Sequence, residues 1–245
     1  SSRYMADEIS IQMTDSKIKN ILGGGRKFFI PEENGGNRED GIQLLDKVKT
    51  NSILITDKSE LTDPSLYGDG QVFGLFADEH LRDETTPENH STEPSIKNML
   101  EFSVNRSKKF IESGCRGFFV MAEASQVDWA GHGNDFEYLM REMTDLEDGI
   151  RWALNFAKKN KDTLVVVTAD HETGGLLIEP NDPRKYESLD IKFSFNTGIG
   201  RGSHTGVPVP IYAYGPGAEN FTGTLDNTDV YRALLAAVNQ DNSGS

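Results

Sequence analysis

The sequence has little cysteine, few cationic side chains and no long apolar run. Cys115 is the single cysteine, which excludes an intrachain disulfide framework and a zinc site built from several cysteines. Lys and Arg total 25 against 39 Asp and Glu, and the net charge of -14 argues against nucleic acid or an anionic membrane surface as the main partner. No run approaches the roughly 20 apolar residues of a membrane span. The first ten residues lack the basic-then-apolar layout of a signal peptide.

Short apolar runs alternate with segments whose apolar residues recur every three or four positions. The 245 residues, 36% of them hydrophobic, suffice for a sizeable core. The apolar runs predict strands at 19–25, 51–56, 71–76, 117–123, 163–170 and 207–215. The periodic segments predict helices near the amino terminus, from about Thr92 to Ile111, from Asn134 or Asp135 to Ala157, and from Thr228 to Val238.

This alternation predicts the fold class. Strands without polar alternation, separated by helices, are typical of a parallel sheet that is covered on both faces. We therefore predict an α/β protein with three αβα layers and a mostly parallel central sheet, forming a single domain over residues 1–245. Residues 179–202 are predicted to be a loop or insertion. In such sheets ligands bind beyond the carboxyl ends of the strands.

Histidines and carboxylates cluster at three predicted strand ends. Taken alone, "TADHETGG" (168–175) is explained by ordinary turn chemistry, because Asp and Gly often end strands. Two further segments, "MAEASQVDWAGHGND" (121–135) and "GSHTG" (202–206), favour a shared site instead. The resulting candidate metal ligands are Glu123, Asp128, His132, Asp170, His171 and His204.

The residue types in this set suit metal ions. Asp128 and His132 are four residues apart, which places both on one face if the segment is helical. Zinc accepts imidazole nitrogen and carboxylate oxygen, whereas magnesium takes oxygen and keeps several waters. The other two histidines, His80 and His90, have no such context and are interpreted as surface or core residues.

The three segments, in this order, resemble the metal-binding segments of alkaline phosphatases, and "ILGGGRKFF" (21–29) resembles another segment of that family. The resemblance covers most of the chain. It implies that Asp128, His132 and His204 bind a first zinc, that Asp170 and His171 bind part of a second, and that Glu123 binds magnesium. It also implies phosphomonoester substrates, a homodimer and a periplasmic or secreted location.

The chemistry of such a site agrees with what the resemblance implies. Two metal ions about 4 Å apart can hold the attacking and leaving oxygens of an in-line phosphoryl displacement. An acidic protein can bind phosphate in this way because the bound metals are the largest local charges.

The sequence departs from the family at the nucleophile. Family members carry a serine nucleophile in a segment before the one that "ILGGGRKFF" resembles, and only about twenty residues precede it here. The pair Asp15 and Ser16 follows a predicted helix and stands too close to the glycine-rich turn, so no catalytic residue is assigned. We expect the carboxyl-terminal, metal-binding half of an alkaline phosphatase, inactive or nearly so by itself.

Several neighbouring residues have two interpretations. Trp129 is either substrate-proximal or part of a pocket wall, and its uncharged indole gives phosphate no cationic partner. Glu172 and Thr173 either support His171 through hydrogen bonds or make ordinary turn contacts. Gly23 to Gly25 with Arg26 favour a tight turn over a phosphate cradle, because the Walker spacing is absent.

Two other functions stay open from the sequence. A phosphodiesterase or sulfatase-like hydrolase of the same superfamily is disfavoured, because Glu123 followed by "VDWAGH" matches the alkaline phosphatase pattern. A non-catalytic metal-binding or assembly module would suit the missing nucleophile. A truncated parallel sheet would leave an edge or face uncovered, so we expect a dimer or larger assembly.

Overall fold

The computed structural model describes residues 2, 4–83, 92–182, 191–198 and 202–239. The chain divides into two compact units, Ser1–Glu123 and Ala124–Ser245. His90 lies outside the described residues. The single domain over residues 1–245 stays a prediction.

The first unit is built on a three-stranded parallel sheet. Its strands are β1 (Asn20–Gly23), β2 (Ile53–Ile55) and β3 (Val72–Leu75), and β3 lies between the other two. Asn20 of β1 and Ile53 of β2 both lie opposite Val72. The accompanying helices are α1 (Ala6–Asp15), α2 (Leu44–Asn51) and α3 (Ile96–Glu112). Short 3-10 helices cover Arg26–Phe29, Glu32–Asn34, Lys58–Thr62 and Pro64–Leu66.

Helices cover both faces of this sheet. Side chains of successive strand residues point to opposite faces. Phe73 and Leu75 belong to a buried cluster with Val48 of α2, whereas Val72 belongs to a second cluster with Phe102 of α3. The predicted α/β class and the three αβα layers are therefore confirmed.

Arg106 of α3 fixes the residues that lead into β1 and β3. Its guanidinium is fully buried and donates to five oxygens: the backbone carbonyls of Lys19, Leu66, Gly68 and Gly70 and the side-chain oxygen of Asn20. Burial lowers the pKa of Arg106 from its ordinary value, while the charge of Asp69 opposes that change. An arginine stays cationic at neutral pH even so.

In its described residues, the second unit combines three helices with three antiparallel strand pairs. The helices are α4 (Ser125–Gly133), α5 (Phe136–Lys159) and α6 (Asn227–Asn239), with a 3-10 helix at Ala218–Phe221. The strands are β4 (Val165–Val167), β5 (Glu172–Thr173), β6 (Leu176–Pro180), β7 (Ile191–Phe195), β8 (His204–Thr205) and β9 (Tyr212–Tyr214). β4 pairs with β9, β5 with β8, and β6 with β7. Within the described part of the chain, no helix has both the length and the apolar composition to cross a bilayer.

The helix predictions hold with one shift. Asp135 caps α5 as predicted, since its carboxylate accepts a hydrogen bond from the backbone N–H of Tyr138 at 3.0 Å. α3 starts later than about Thr92, because Ser95 and Asn98 form a capping box and Pro94 lies before it.

The apolar run at 117–123 does not form the predicted strand, and part of α5 is exposed. Residues 117–123 have no strand assignment, because none of the described strands pairs with them. Along α5, Met140 and Met143 are 47% and 42% exposed, so the apolar stripe of this helix is only partly covered. Within the predicted loop or insertion at 179–202, some residues belong to β6 and β7, and residues 183–190 and 199–201 lie outside the described residues. The loop or insertion itself stays a prediction.

Candidate metal centre

Helix α4 presents Asp128 and His132 on one face. The four-residue spacing becomes a side-chain contact, with His132 Nε2 3.3 Å from Asp128 Oδ2. Asn134 adopts a left-handed conformation with φ of 51° and ends the helix directly after this pair. The helical geometry predicted for Asp128 and His132 is thus confirmed.

The two-residue pairing of β5 with β8 brings His204 to the same place. Thr173 lies opposite His204 in this ladder. His204 Nε2 is 3.4 Å from Asp128 Oδ1 and 3.2 Å from His132 Nε2. One carboxylate oxygen and two imidazole nitrogens therefore lie within 4.8 Å of one another, as a metal ion would require.

Gly202 orients the ring of His132. Its N–H donates to the backbone oxygen of His132 at 2.8 Å, and its own carbonyl oxygen faces His132 Nδ1. Because a carbonyl oxygen only accepts, Nδ1 carries the hydrogen and Nε2 presents its lone pair towards Asp128 and His204. Histidines that bind metals commonly have this arrangement.

His171 lies against the same group. Its ring stacks on that of His204 with 3.5 Å between centroids, and its Nδ1 is 4.0 Å from Asp128 Oδ1. Its Nε2 is 3.2 Å from Asp170 Oδ2, although the Asp170 side chain is 89% exposed. The structure thus brings His171 together with Asp128 and His204, and Asp170 reaches the group through His171.

Thr173 contacts the candidate ligands, whereas Glu172 does not. The Thr173 hydroxyl donates to Asp128 Oδ1 at 2.5 Å and lies 3.1 Å from His171 Nδ1. Glu172 accepts from the backbone N–H groups of Gly175 at 3.2 Å and Leu176 at 3.0 Å, and from the hydroxyl of Thr205. Glu172 therefore fastens the turn after β5 to β8, which carries His204.

Two glycines allow α4 to approach its neighbours. A Cβ on Gly131 would lie 2.8 Å from the carbonyl oxygen of Thr173, and a Cβ on Gly202 would lie 2.5 Å from the carbonyl oxygen of Gly131. Sequence reasoning missed both roles, although each glycine stands within two residues of a candidate histidine.

Trp129 and Glu123 are the two predicted site residues whose roles the described contacts do not decide. Trp129 is 42% exposed, and as the next residue after Asp128 on a helix it points roughly 100° away from it. Glu123 is exposed at the end of the first unit. A substrate-proximal position for Trp129 and a magnesium-binding role for Glu123 stay predictions.

The glycine-rich turn of the first unit has a structural role. Gly25 has a φ of 90°, which favours glycine, and the next two backbone N–H groups donate to Ala77 and Asp78 carbonyl oxygens at 3.0 Å. Those two N–H groups are therefore already hydrogen-bonded within the protein and do not form a phosphate cradle. A cavity of about 680 Å³ opens nearby, and none of the candidate metal ligands lines it.

Both arginines that line that cavity are ion-paired. Arg26 lies 2.7 Å from Asp78, and Arg82 lies 3.4 Å from Glu93. The cavity therefore presents guanidinium groups whose charge is already balanced.

Comparison with known proteins shows the family. The family model described as Alkaline phosphatase matches residues 2–189 and 181–240. The chain belongs to the alkaline phosphatase family. Alkaline phosphatase 4 of Bacillus subtilis is 31% identical, with 93% of this chain and 60% of its own length covered. Alkaline phosphatase 3 of the same bacterium is 32% identical, with 96% and 61% covered.

Solved alkaline phosphatase structures agree with this assignment. The alkaline phosphatase of the Antarctic bacterium TAB5 has a TM-score of 0.72 and 33% identity, covering 95% of this chain and 64% of that one. A variant of that enzyme, with a TM-score of 0.73 and 31% identity over the same shares, holds Mg in a site designated M3. The chain spans about three fifths of the length of the relatives it matches.

The close approach at Gly131 predicts a contrast between two substitutions in α4. Gly131→Ala is expected to lower the free energy of unfolding by about 1–3 kcal/mol, because the new Cβ overlaps a backbone oxygen that has no room to move. Gly133→Ala is the matched control, since its Cβ would meet nothing closer than 3.7 Å. Urea unfolding midpoints measure both variants. Equal midpoints would mean that α4 is not packed against Thr173 as described.

Proposed function

We propose that this chain supplies most metal ligands of a zinc- and magnesium-dependent phosphomonoester hydrolase of the alkaline phosphatase type. The observation that supports this proposal is the convergence of Asp128, His132 and His204 in a member of that family. Two nitrogens and one oxygen make three of the four positions of a catalytic zinc site, which keeps its fourth for water or substrate. Asp170 and His171 contribute to a second zinc, and Glu123 to magnesium.

The side chains of this chain prepare the site for a phosphate group. His132 is held by Gly202 with its Nε2 lone pair directed into the site. Asp128 supplies the carboxylate that faces His132, His171 and His204. Zinc bound by these residues would polarise a phosphoryl oxygen and balance its negative charge. Trp129 adds apolar surface and no charge.

In this proposal residues 1–245 contain no catalytic nucleophile. The hydroxyl of Ser16 donates to the carbonyl oxygen of Met13 at 2.8 Å and so ends α1, and Asp15 pairs with Lys47 at 2.5 Å. Both residues therefore have ordinary structural partners. The nucleophile is then supplied by sequence other than these residues. A periplasmic or secreted location rests on the family alone and is open to test by cell fractionation.

Zinc content tests the metal site directly. After dialysis, elemental analysis of the purified chain is expected to give about one zinc per chain, and His204→Ala is expected to lose it because two ligands remain. His80→Ala is the control, since it removes a histidine of the first unit that is not among the proposed ligands. Absence of zinc in the unaltered chain, or equal zinc in His204→Ala, would contradict the proposal.

Hydrolysis of p-nitrophenyl phosphate tests the missing nucleophile. With zinc and magnesium supplied, the chain alone is expected to release p-nitrophenolate at no more than the buffer rate, because the proposal places the nucleophile outside residues 1–245. His204→Ala controls for a contaminating phosphatase, whose activity would survive that substitution. Turnover that requires zinc and disappears in His204→Ala would show that the chain carries its own nucleophile.

Exposed apolar side chains support self-association. Three apolar side chains of α6, spaced four and three residues apart, are exposed. They are Tyr231 (68%), Leu235 (45%) and Val238 (64%). Such a stripe normally meets a partner surface. Light scattering is expected to give at least twice the chain mass of 27.1 kDa, and Leu235→Asp is expected to reduce it. A monomer at working concentration would exclude the dimer.

A further inference from the structure

The hydroxyl of Thr173 lies between residues that belong to two different proposed zinc sites. It is 2.5 Å from Oδ1 of Asp128, a proposed ligand of the first zinc. It is also 3.1 Å from Nδ1 of His171, a proposed ligand of the second. Thr173 is partly buried, and its place in β5 opposite His204 sets its position within the unit.

The hydrogen-bonding capacity of a hydroxyl fixes the direction of both contacts. A hydroxyl has one hydrogen to donate and lone pairs to accept with. The carboxylate of Asp128 only accepts, so the single hydrogen of Thr173 goes to Asp128. The bond to His171 must then run the other way, from an Nδ1–H of the imidazole to the Thr173 oxygen. A neutral His171 that carries hydrogen on Nδ1 has a bare Nε2. The competing tautomer carries the hydrogen on Nε2 and donates it to Asp170 Oδ2, 3.2 Å away.

The methyl group of Thr173 holds the hydroxyl in this orientation. A Cβ built on Gly131 would lie 3.0 Å from Thr173 Cγ2, which shows how closely the methyl group approaches α4. A β-branched side chain has few allowed χ1 rotamers, so packing of the methyl determines where the hydroxyl points. A side chain that only made turn contacts would not need both its methyl and its hydroxyl to be held in place.

We propose that Thr173 is a positioning residue that couples the two candidate zinc sites. It fixes the Asp128 carboxylate for the first and selects the Nδ1–H tautomer of His171 for the second. This inference rests on the proposed function for its consequence, zinc binding. The hydrogen-bond relay itself exists without metal and is measurable without it. The two ideas can therefore fail separately.

Two substitutions separate the hydroxyl from the methyl. Thr173→Val keeps the methyl that packs against Gly131 and removes the hydroxyl, whereas Thr173→Ser keeps the hydroxyl. Thr144→Val makes the same chemical change on α5, where the Thr144 hydroxyl donates to the carbonyl oxygen of Met140 at 2.7 Å. Circular dichroism and urea midpoints identify any variant that fails to fold, and Thr173→Ser keeps the test open in that case.

The first measurement is long-range proton–nitrogen NMR of the metal-free chain in a mildly alkaline buffer. We expect His171 to be the Nδ1–H tautomer in the unaltered chain and in Thr144→Val, to keep a weaker preference for it in Thr173→Ser, whose hydroxyl lacks the methyl restraint, and to lose it in Thr173→Val. An unchanged His171 tautomer in Thr173→Val would overturn the inference, whatever the zinc affinity.

The second measurement is zinc affinity by competition with a chelator. We expect Thr173→Val to bind zinc about 10- to 100-fold more weakly, in the range found when an outer hydrogen-bond partner of a metal ligand is removed. Thr144→Val should bind as the unaltered chain does, and Thr173→Ser, which keeps the hydroxyl without the methyl, should bind with an affinity between those of the unaltered chain and Thr173→Val. Equal affinity in Thr173→Val would overturn the coupling. If the unaltered chain binds no zinc, the proposed function fails and the NMR result alone decides the role of Thr173.

Discussion

The carboxylate of Asp128 is the constraint on which the candidate site depends. It lies within hydrogen-bonding or ion-pair distance of His132, His204 and the Thr173 hydroxyl, and 4.0 Å from His171. Its two oxygens offer about four lone-pair sites, so the carboxylate can accept from the Thr173 hydroxyl and still face a cation together with the histidines. The helix, the β5–β8 ladder and the turn between them are therefore all organised around one acidic side chain of α4.

In the second unit, hydrogen bonds hold the elements around the site in place more than a large apolar core does. Among described residues of the second unit, the buried apolar side chains are Ala130, Ala157, Phe221 and Ala233. The first unit instead has two clusters of large side chains against its parallel sheet. Glu172, with its three acceptor bonds, and Gly202, with its exchange with His132, supply much of the order near the site. A ligand that binds only the folded arrangement would add stability by mass action.

Local sequence patterns predicted some parts of the fold and of the candidate site but not others. The spacing of Asp128 and His132 and the strands of the first unit follow from short-range periodicity. For Glu172 the structure contains the turn contacts to Gly175 and Leu176, one of its two interpretations, whereas its third partner, Thr205, is 33 residues away and gives no local signal. The two-residue ladder of β5 and β8 is too short to give a pattern. Residues 117–123 show the opposite error. Their apolar run predicted a strand, but such a run does not identify a pairing partner.

Charge balance limits what the guanidinium groups of this acidic chain can contribute to an anion site. In the second unit Arg151 pairs with Glu147 at 2.5 Å and Arg232 with Asp229 at 2.7 Å, each along its own helix. In the first unit Arg38 is buried against Asp40, and the hydrogen bond from Arg38 holds the pKa of Asp40 below its ordinary value. These guanidinium groups already have carboxylate partners. With a net charge of -14, the proposed affinity for a phosphate dianion near Asp128 would come from cations that the histidine and carboxylate residues bind, since bound metals dominate the local field.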